Sequence, residues 1–186
     1  MLPILNQKII EDSIRRILTA LGEDPEREGL RDTPARVARL YSDVLDGRTS
    51  DMPRITSFEE ETYHGIVTVH HVPFYAFCEH HMLPFIGQVA IGYIPNKKMV
   101  GLSKLVRIFR YYTKRVNIQE RLAEQTINAV MKYTEALGAI VHINAEHTCM
   151  SLRGVKSPGA RTTTVTTRGT LVDNVELQAH FLAEVV

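Results

Sequence analysis

The sequence predicts an α+β fold built on an antiparallel sheet, with an N-terminal helical segment at residues 1–50 and a sheet-bearing domain at residues 51–186. Three observations lead there. Apolar residues recur at helical spacing in the first 50 positions, β-branched segments take over from about Asp51, and one pair of helical segments interrupts the strands instead of alternating with them. Helices followed by strands around a central helix pair favour α+β over a parallel α/β sheet. A length of 186 residues suits one medium domain or a core domain with a small appendage, and 44% hydrophobic content can bury a core.

The elements follow in order. Asn6 is a candidate N-cap for a helix that places Ile10, Ile14, Ile17, Leu18 and Leu21 at helical spacing and stops at Gly22. Thr33-Pro34, cap then first-turn proline, opens a second helix with Val37, Leu40, Tyr41, Val44 and Leu45 on one face, ending at Gly47. Arg36 and Arg39 lie beside that face, where solvated surface charge is the simplest interpretation. Residues 65–70 and 86–94 read as strands, the second closed by Pro95-Asn96, and Phe77-Cys78-Glu79-His80-His81 falls on a loop or short turn between them.

A helix then opens at Leu102-Ser103-Lys104 with Ser103 as cap and Leu105, Ile108, Phe109 and Tyr112 inward. Lys104 and Arg107 sit on its first turns, where free backbone N–H groups and cations suit an anion such as phosphate. The next helix runs from Gln119 through Leu137 and is stopped by Gly138. In a strand from about Ala139 to Leu152, odd positions share one face: Val141, Ile143, Ala145, then His147 and Cys149, with Arg153 at the same parity if the strand persists. The β-branched run Arg161–Gly169 reads as a final strand, and Asn174 caps a short helix to Val186.

Twenty-two basic residues against 21 acidic ones leave no basic excess for a general nucleic-acid or anionic-membrane binder. Met1–Lys8 lacks a basic head followed by an apolar run, and no apolar stretch approaches the ~20 residues of a membrane span. A cytoplasmic location is expected, and there the two cysteines stay reduced. Cys78 shares a turn with His80 and His81, and Cys149 lies two positions from His147. Thiolate and imidazole together are a set zinc prefers, and three such ligands leave the fourth tetrahedral position open for water. A Cys78–Cys149 disulfide and two unrelated structural cysteines are the bland alternatives.

Five motifs narrow the choice: Cys78-Glu79-His80-His81 with Leu83-Pro84-Phe85, Gly101-Leu102-Ser103-Lys104-Leu105, Gln119-Glu120-Arg121-Leu122, His147-Thr148-Cys149-Met150, and Arg153-Gly154-Val155. In this order, between about Thr33 and Gly169, the chain closely resembles the GTP cyclohydrolase I family. The resemblance implies a tunnelling fold over residues 51–186, an antiparallel sheet with two helices packed on one face. It implies conversion of GTP and water to 7,8-dihydroneopterin triphosphate and formate, the first step of folate and pterin biosynthesis, by a homodecamer with active sites between subunits. By motif position, Cys78, His81 and Cys149 are the implied Zn2+ ligands, and His80 and His147 the catalytic imidazoles. Glu120 is the implied guanine anchor, one carboxylate accepting from N1–H and the 2-amino group together. Gln119 is expected at the ribose or base edge and Ser103 at the ribose. Lys104, Arg107 and Arg153 are expected at the triphosphate, joined by Arg36 and Arg39 from a neighbouring subunit, although the family often has lysine in place of Arg39.

Two other classes compete. A reductase of the same fold would use a nucleophilic cysteine and a nicotinamide cofactor, but both cysteines here have zinc-ligand company. A purely structural zinc site would need His80 as fourth ligand, and adjacent His80 and His81 do not readily converge on one ion.

Overall fold

The computed structural model describes residues 6–47, 50–60 and 62–185; Met1–Leu5 and Val186, which entered the sequence reading, lie outside them. The chain divides into two units, Met1–Asp51 and Met52–Val186.

In the first unit, helix α1 (Gln7–Ala20) begins where Asn6 Oδ1 accepts from Ile9 N at 3.0 Å, the expected cap. It closes through Gly22, whose φ of +82° lets Glu23 N reach Leu18 O at 3.0 Å. Helix α2 (Thr33–Val44) takes Asp32, not Thr33, as its N-cap residue, without a side-chain capping bond. The Thr33 hydroxyl instead accepts from Arg36 at 2.8 Å. Gln7 donates to Ser42 Oγ at 2.8 Å and ties α1 to α2.

The second unit contains, in chain order, β1 (Ser57–Glu59), β2 (Val67–Cys78), β3 (Pro84–Ile94), β4 (Lys98–Val100), α3 (Leu102–Thr113), β5 (Val116–Asn117), α4 (Gln119–Thr134), β6 (Gly138–His147), α5 (Thr148–Ser151), β7 (Arg161–Gly169) and α6 (Val175–Ala183). β1 and β4 pair as a small antiparallel ribbon, and the main sheet has the order β5-β2-β3-β6-β7. Its long neighbours are all antiparallel; only the two-residue β5 runs parallel to β2, at Phe77 and Cys78.

One face of this sheet carries α3 and α4. Phe74, Phe85, Val89, Ile91, Val141 and Ile143 meet Leu105, Ile108, Phe109, Leu122, Ile127 and Val130 in the main core. Phe74 stands edge-on to Phe85 and Phe109, with centroids 5.8 and 5.0 Å apart. The alternate residues point the other way, where Phe181 of α6 packs with Ala90, Ile94, Ile140 and Leu171 in a second cluster. α6 begins as expected, with Asn174 Oδ1 accepting from Leu177 N at 3.0 Å. Among the described residues no helix is long and apolar enough to cross a membrane.

The strands and helices depart from the expected bounds in four places, each with a local cause. β2 extends to Cys78 although Pro73 lies within it; Pro73 sits beyond a register shift between Val69 and Val72, on a stretch paired only with β3, where a missing N–H is tolerated. α3 is capped by Gly101, so Ser103 lies inside the first turn with no capping role. α4 ends at Thr134 with Glu135 in the left-handed conformation, and Gly138 starts β6 instead of stopping the helix. The strand after α4 ends at His147, because residues 148–151 coil into the single turn α5, and the strand parity expected for Cys149 and Arg153 is lost.

Candidate metal centre and active site

β2 and β6 deliver the thiols and imidazoles to one end of the sheet. Cys78 is the last residue of β2 and is 2% exposed. Its N–H donates to Leu83 O and its carbonyl accepts from Met82 N, both at 2.8 Å, so Glu79-His80-His81 forms a turn closed on itself. Glu79 pins this turn to α4 through a two-pronged ion pair with Arg121 and to β5 through its N–H, which donates to Asn117 O at 3.0 Å. The Arg121 guanidinium holds the Glu79 carboxyl below its ordinary range.

On the other side, His147 ends β6 and stands opposite Phe85 in the β3–β6 register. The two rings stack with centroids 4.7 Å apart and an interplanar angle of 2°. The turn of α5 swings Cys149 back beside Cys78; Thr148 Oγ1 donates to Pro84 O at 2.6 Å and Ser151 to Glu146 at 2.5 Å, which fixes that turn against β3 and β6. Ligand atoms of Cys78, His147 and Cys149 all lie within 4.8 Å of one another. Both cysteines are free, so no disulfide joins them. Burial pushes the Cys149 thiol up, with the neighbouring Cys78 sulfur adding to the rise. Burial pushes the His147 imidazole down, partly offset by Glu120.

The remaining predicted residues fall at varying distance from this cluster. His80 Nδ1 lies 3.5 Å from Cys78 Sγ. His81 is outside the three-residue group, and its Nε2 contacts the Arg153 guanidinium. Glu120 is exposed at the start of α4, and its charge is felt at His147. Gln119, expected at the substrate, is 1% exposed and bonded to His147 and to strands β6 and β7. Ser103 and Arg107 are exposed on α3, while the Lys104 ammonium reaches Arg54 O at 3.4 Å. Arg36 and Arg39 belong to the first unit, where Arg36 donates to Thr33 Oγ1 and Gly29 O.

Two residues with work at this end stand in the quoted motifs but were given no role from sequence. Phe85 supplies the stacking wall for His147, and Arg121 anchors the Cys78 turn. The parity of β3 could have marked Phe85 as inward, whereas nothing local announces that Arg121 and Glu79, 42 positions apart, meet. A groove of about 680 Å³ lies elsewhere, lined by His71, Gln88, His142, Asn144, Glu146 and Arg161 among others. It shares no residue with the thiol cluster, and the chemistry follows the thiols.

An antiparallel sheet carrying two helices on one face, with thiols and imidazoles gathered at a strand end, defines a tunnelling-fold protein with a candidate metal centre. The chain belongs to the GTP cyclohydrolase I family, which residues 10–186 match. It is 43% identical to GTP cyclohydrolase 1 of Carboxydothermus hydrogenoformans, over 97% of this chain and 95% of that one. It is 44% identical to GTP cyclohydrolase 1 of Pelotomaculum thermopropionicum, over 95% of each chain. Among solved structures, the archaeosine synthase QueF-Like in the apo form overlays 56% of this chain and 94% of its own, with a TM-score of 0.47 and 15% identity. That last likeness carries no argument about chemistry.

Proposed function

We propose that this chain is a zinc-dependent hydrolase that opens the imidazole ring of the guanine in GTP, releasing formate and forming 7,8-dihydroneopterin triphosphate. The observation that carries the proposal is the convergence of Cys78, Cys149 and an imidazole within 4.8 Å in a chain of this family. Two thiols and an imidazole are a donor set that fits zinc, and two thiolates neutralise its charge. Cys78, Cys149 and His81 are assigned as the residues that hold it. His81 is supported by its place in the Cys78–His81 motif. When bound, such an ion supplies Lewis-acid activation of water at neutral pH.

The chain's own residues then divide the remaining work. Glu120 accepts from guanine N1–H and the 2-amino group, which orients the ring. His147 delivers a proton to N7 for ring opening, and His80 assists proton movement. Ser103 contacts the ribose during rearrangement. Lys104, Arg107 and Arg153 neutralise the triphosphate, with Arg36 and Arg39 joining from a neighbouring copy. A homodecamer with sites between copies and a cytoplasmic location complete the proposal.

A second reading exchanges the two imidazoles, with His147 as third ligand; its place within 4.8 Å of both thiols favours it. The activity itself is tested by incubating purified protein with GTP, with and without a chelator, while following formate and the pterin absorbance. Formate release that stops on chelation and returns with zinc is expected. Absence of zinc-dependent release sinks the proposal.

A further inference from the structure

The carboxamide of Gln119 is held where every one of its polar atoms is committed to protein. The residue opens α4 and is 1% exposed. Its Nε2 faces Ile143 O at 3.2 Å, Thr162 O at 2.9 Å and Thr164 Oγ1 at 3.0 Å. Two of these are backbone carbonyls, which only accept, so the amide nitrogen must lie on that side. The flipped rotamer would set the amide oxygen against both of them. Oε1 is therefore the end that meets His147 Nε2, at 2.9 Å.

An amide oxygen also only accepts, so Nε2 of His147 must carry its hydrogen. Turning the imidazole about its Cβ–Cγ bond would present Cε1 to the amide oxygen and forfeit the bond. The parallel Phe85 ring, 4.7 Å away, lies flat against one side. The ring is thus fixed in plane by Phe85 and in direction by Gln119.

We propose that Gln119 is a positioning residue: it locks His147 as the Nε2–H tautomer and makes Nδ1 the nitrogen that exchanges a proton with the substrate. This rests on the assignment of proton transfer to His147 made above. The Nε2 hydrogen stays on His147, bonded to Gln119 Oε1, so Nδ1 is the nitrogen left to face purine N7. Without the amide oxygen, the ring is free to carry its proton on either nitrogen and to turn, and only one of those states aims a basic Nδ1. The expectation that Gln119 touches the ribose or base edge is replaced by this indirect role.

The tautomer is tested on chelator-treated protein labelled with 15N-histidine, with the His147 signals assigned by their loss in His147→Asn. The wild-type chain should show hydrogen on Nε2, none on Nδ1, and an Nε2 proton protected from solvent exchange. In Gln119→Met, similar in volume but without the amide, that protection should disappear. In zinc-loaded enzyme the same change should lower kcat by about 10–100-fold with KM for GTP near its wild-type value.

Hydrogen on Nδ1 in the wild-type chain overturns the proposal without any variant, so poor folding of Gln119→Met does not shelter it. An increase in KM with kcat unchanged also overturns it, because it returns Gln119 to the substrate. A wild-type enzyme that releases no formate refutes the cyclohydrolase proposal instead, and the magnetic resonance result separates that failure from this one.

Discussion

Two imidazoles compete for one place beside the pair of thiols, and their surroundings differ in kind. His147 is walled by Phe85 and bonded to a buried amide, an arrangement that fixes the direction of its ring. His81 sits on an exposed turn with its Nε2 against the Arg153 guanidinium. Metal content of purified variants separates their roles. Cys149→Ser should lose metal and activity together, and His81→Ala should lose metal. His147→Ala should keep metal while turnover falls by about 100-fold or more, the range of a lost general acid. Metal loss in His147→Ala would move that residue into the ligand set. From sequence, the candidates were legible because the chain has only two cysteines and each lies two or three positions from a histidine. The function of Gln119 was not, since its acceptors stand 24, 43 and 45 positions away.

At the level of elements, the pairing of β3 with β6 decides whether these side chains meet at all. Phe85 opposes His147 and, two positions along, Gly87 opposes Ala145. A Cβ on Gly87 would stand 2.0 Å from Asn144 O and 2.6 Å from Ala145 Cα, backbone atoms that cannot rotate away. Gly87→Ala should therefore force the strands apart next to the imidazole. We expect a stability loss on the order of 3 kcal/mol, read as a lower melting temperature, accompanied by reduced turnover. An unchanged melting temperature and rate would show that the close approach has no such part.

The element pattern also explains what could be read in advance. Asn6 and Asn174 were legible as caps because a cap is local, three residues of chain closing one bond. The threonines of β7 were legible as a two-sided strand, and the structure adds their use: Thr164 and Thr166 turn toward α4 and meet Gln119 and Glu124. The turn of α5 was not legible, because His147 and Cys149 continue the alternation of β6 in sequence. The chain coils there through the backbone bond from Leu152 N to Thr148 O, held by the side-chain bonds of Thr148 and Ser151 back to Pro84 and Glu146.

At the scale of the molecule, the main sheet is open at both sides among the described residues. Among the described residues, β7 pairs only with β6, and residues 67–76 of β2 pair only with β3. Such edges expose rows of backbone donors and acceptors and invite pairing with another chain. β2 is partly protected by its register shift and by Pro73, but β7 runs nine residues without a proline. Tyr75 and Ile86, paired across β2 and β3, are 56% and 53% exposed, and Val165 on β7 is 44% exposed, an apolar burden for a lone chain. An edge of β7 type meeting an edge of β2 type is a head-to-tail contact, which closes into a ring when the rotation is right. The homodecamer proposed above would satisfy such edges if its copies pair β7 with β2. Sedimentation should therefore give one species of ten chains, stable on dilution to micromolar concentration, with formate release confined to it. A monomer that releases formate at the full rate would show that neither sheet edge nor neighbouring cation is needed for the reaction.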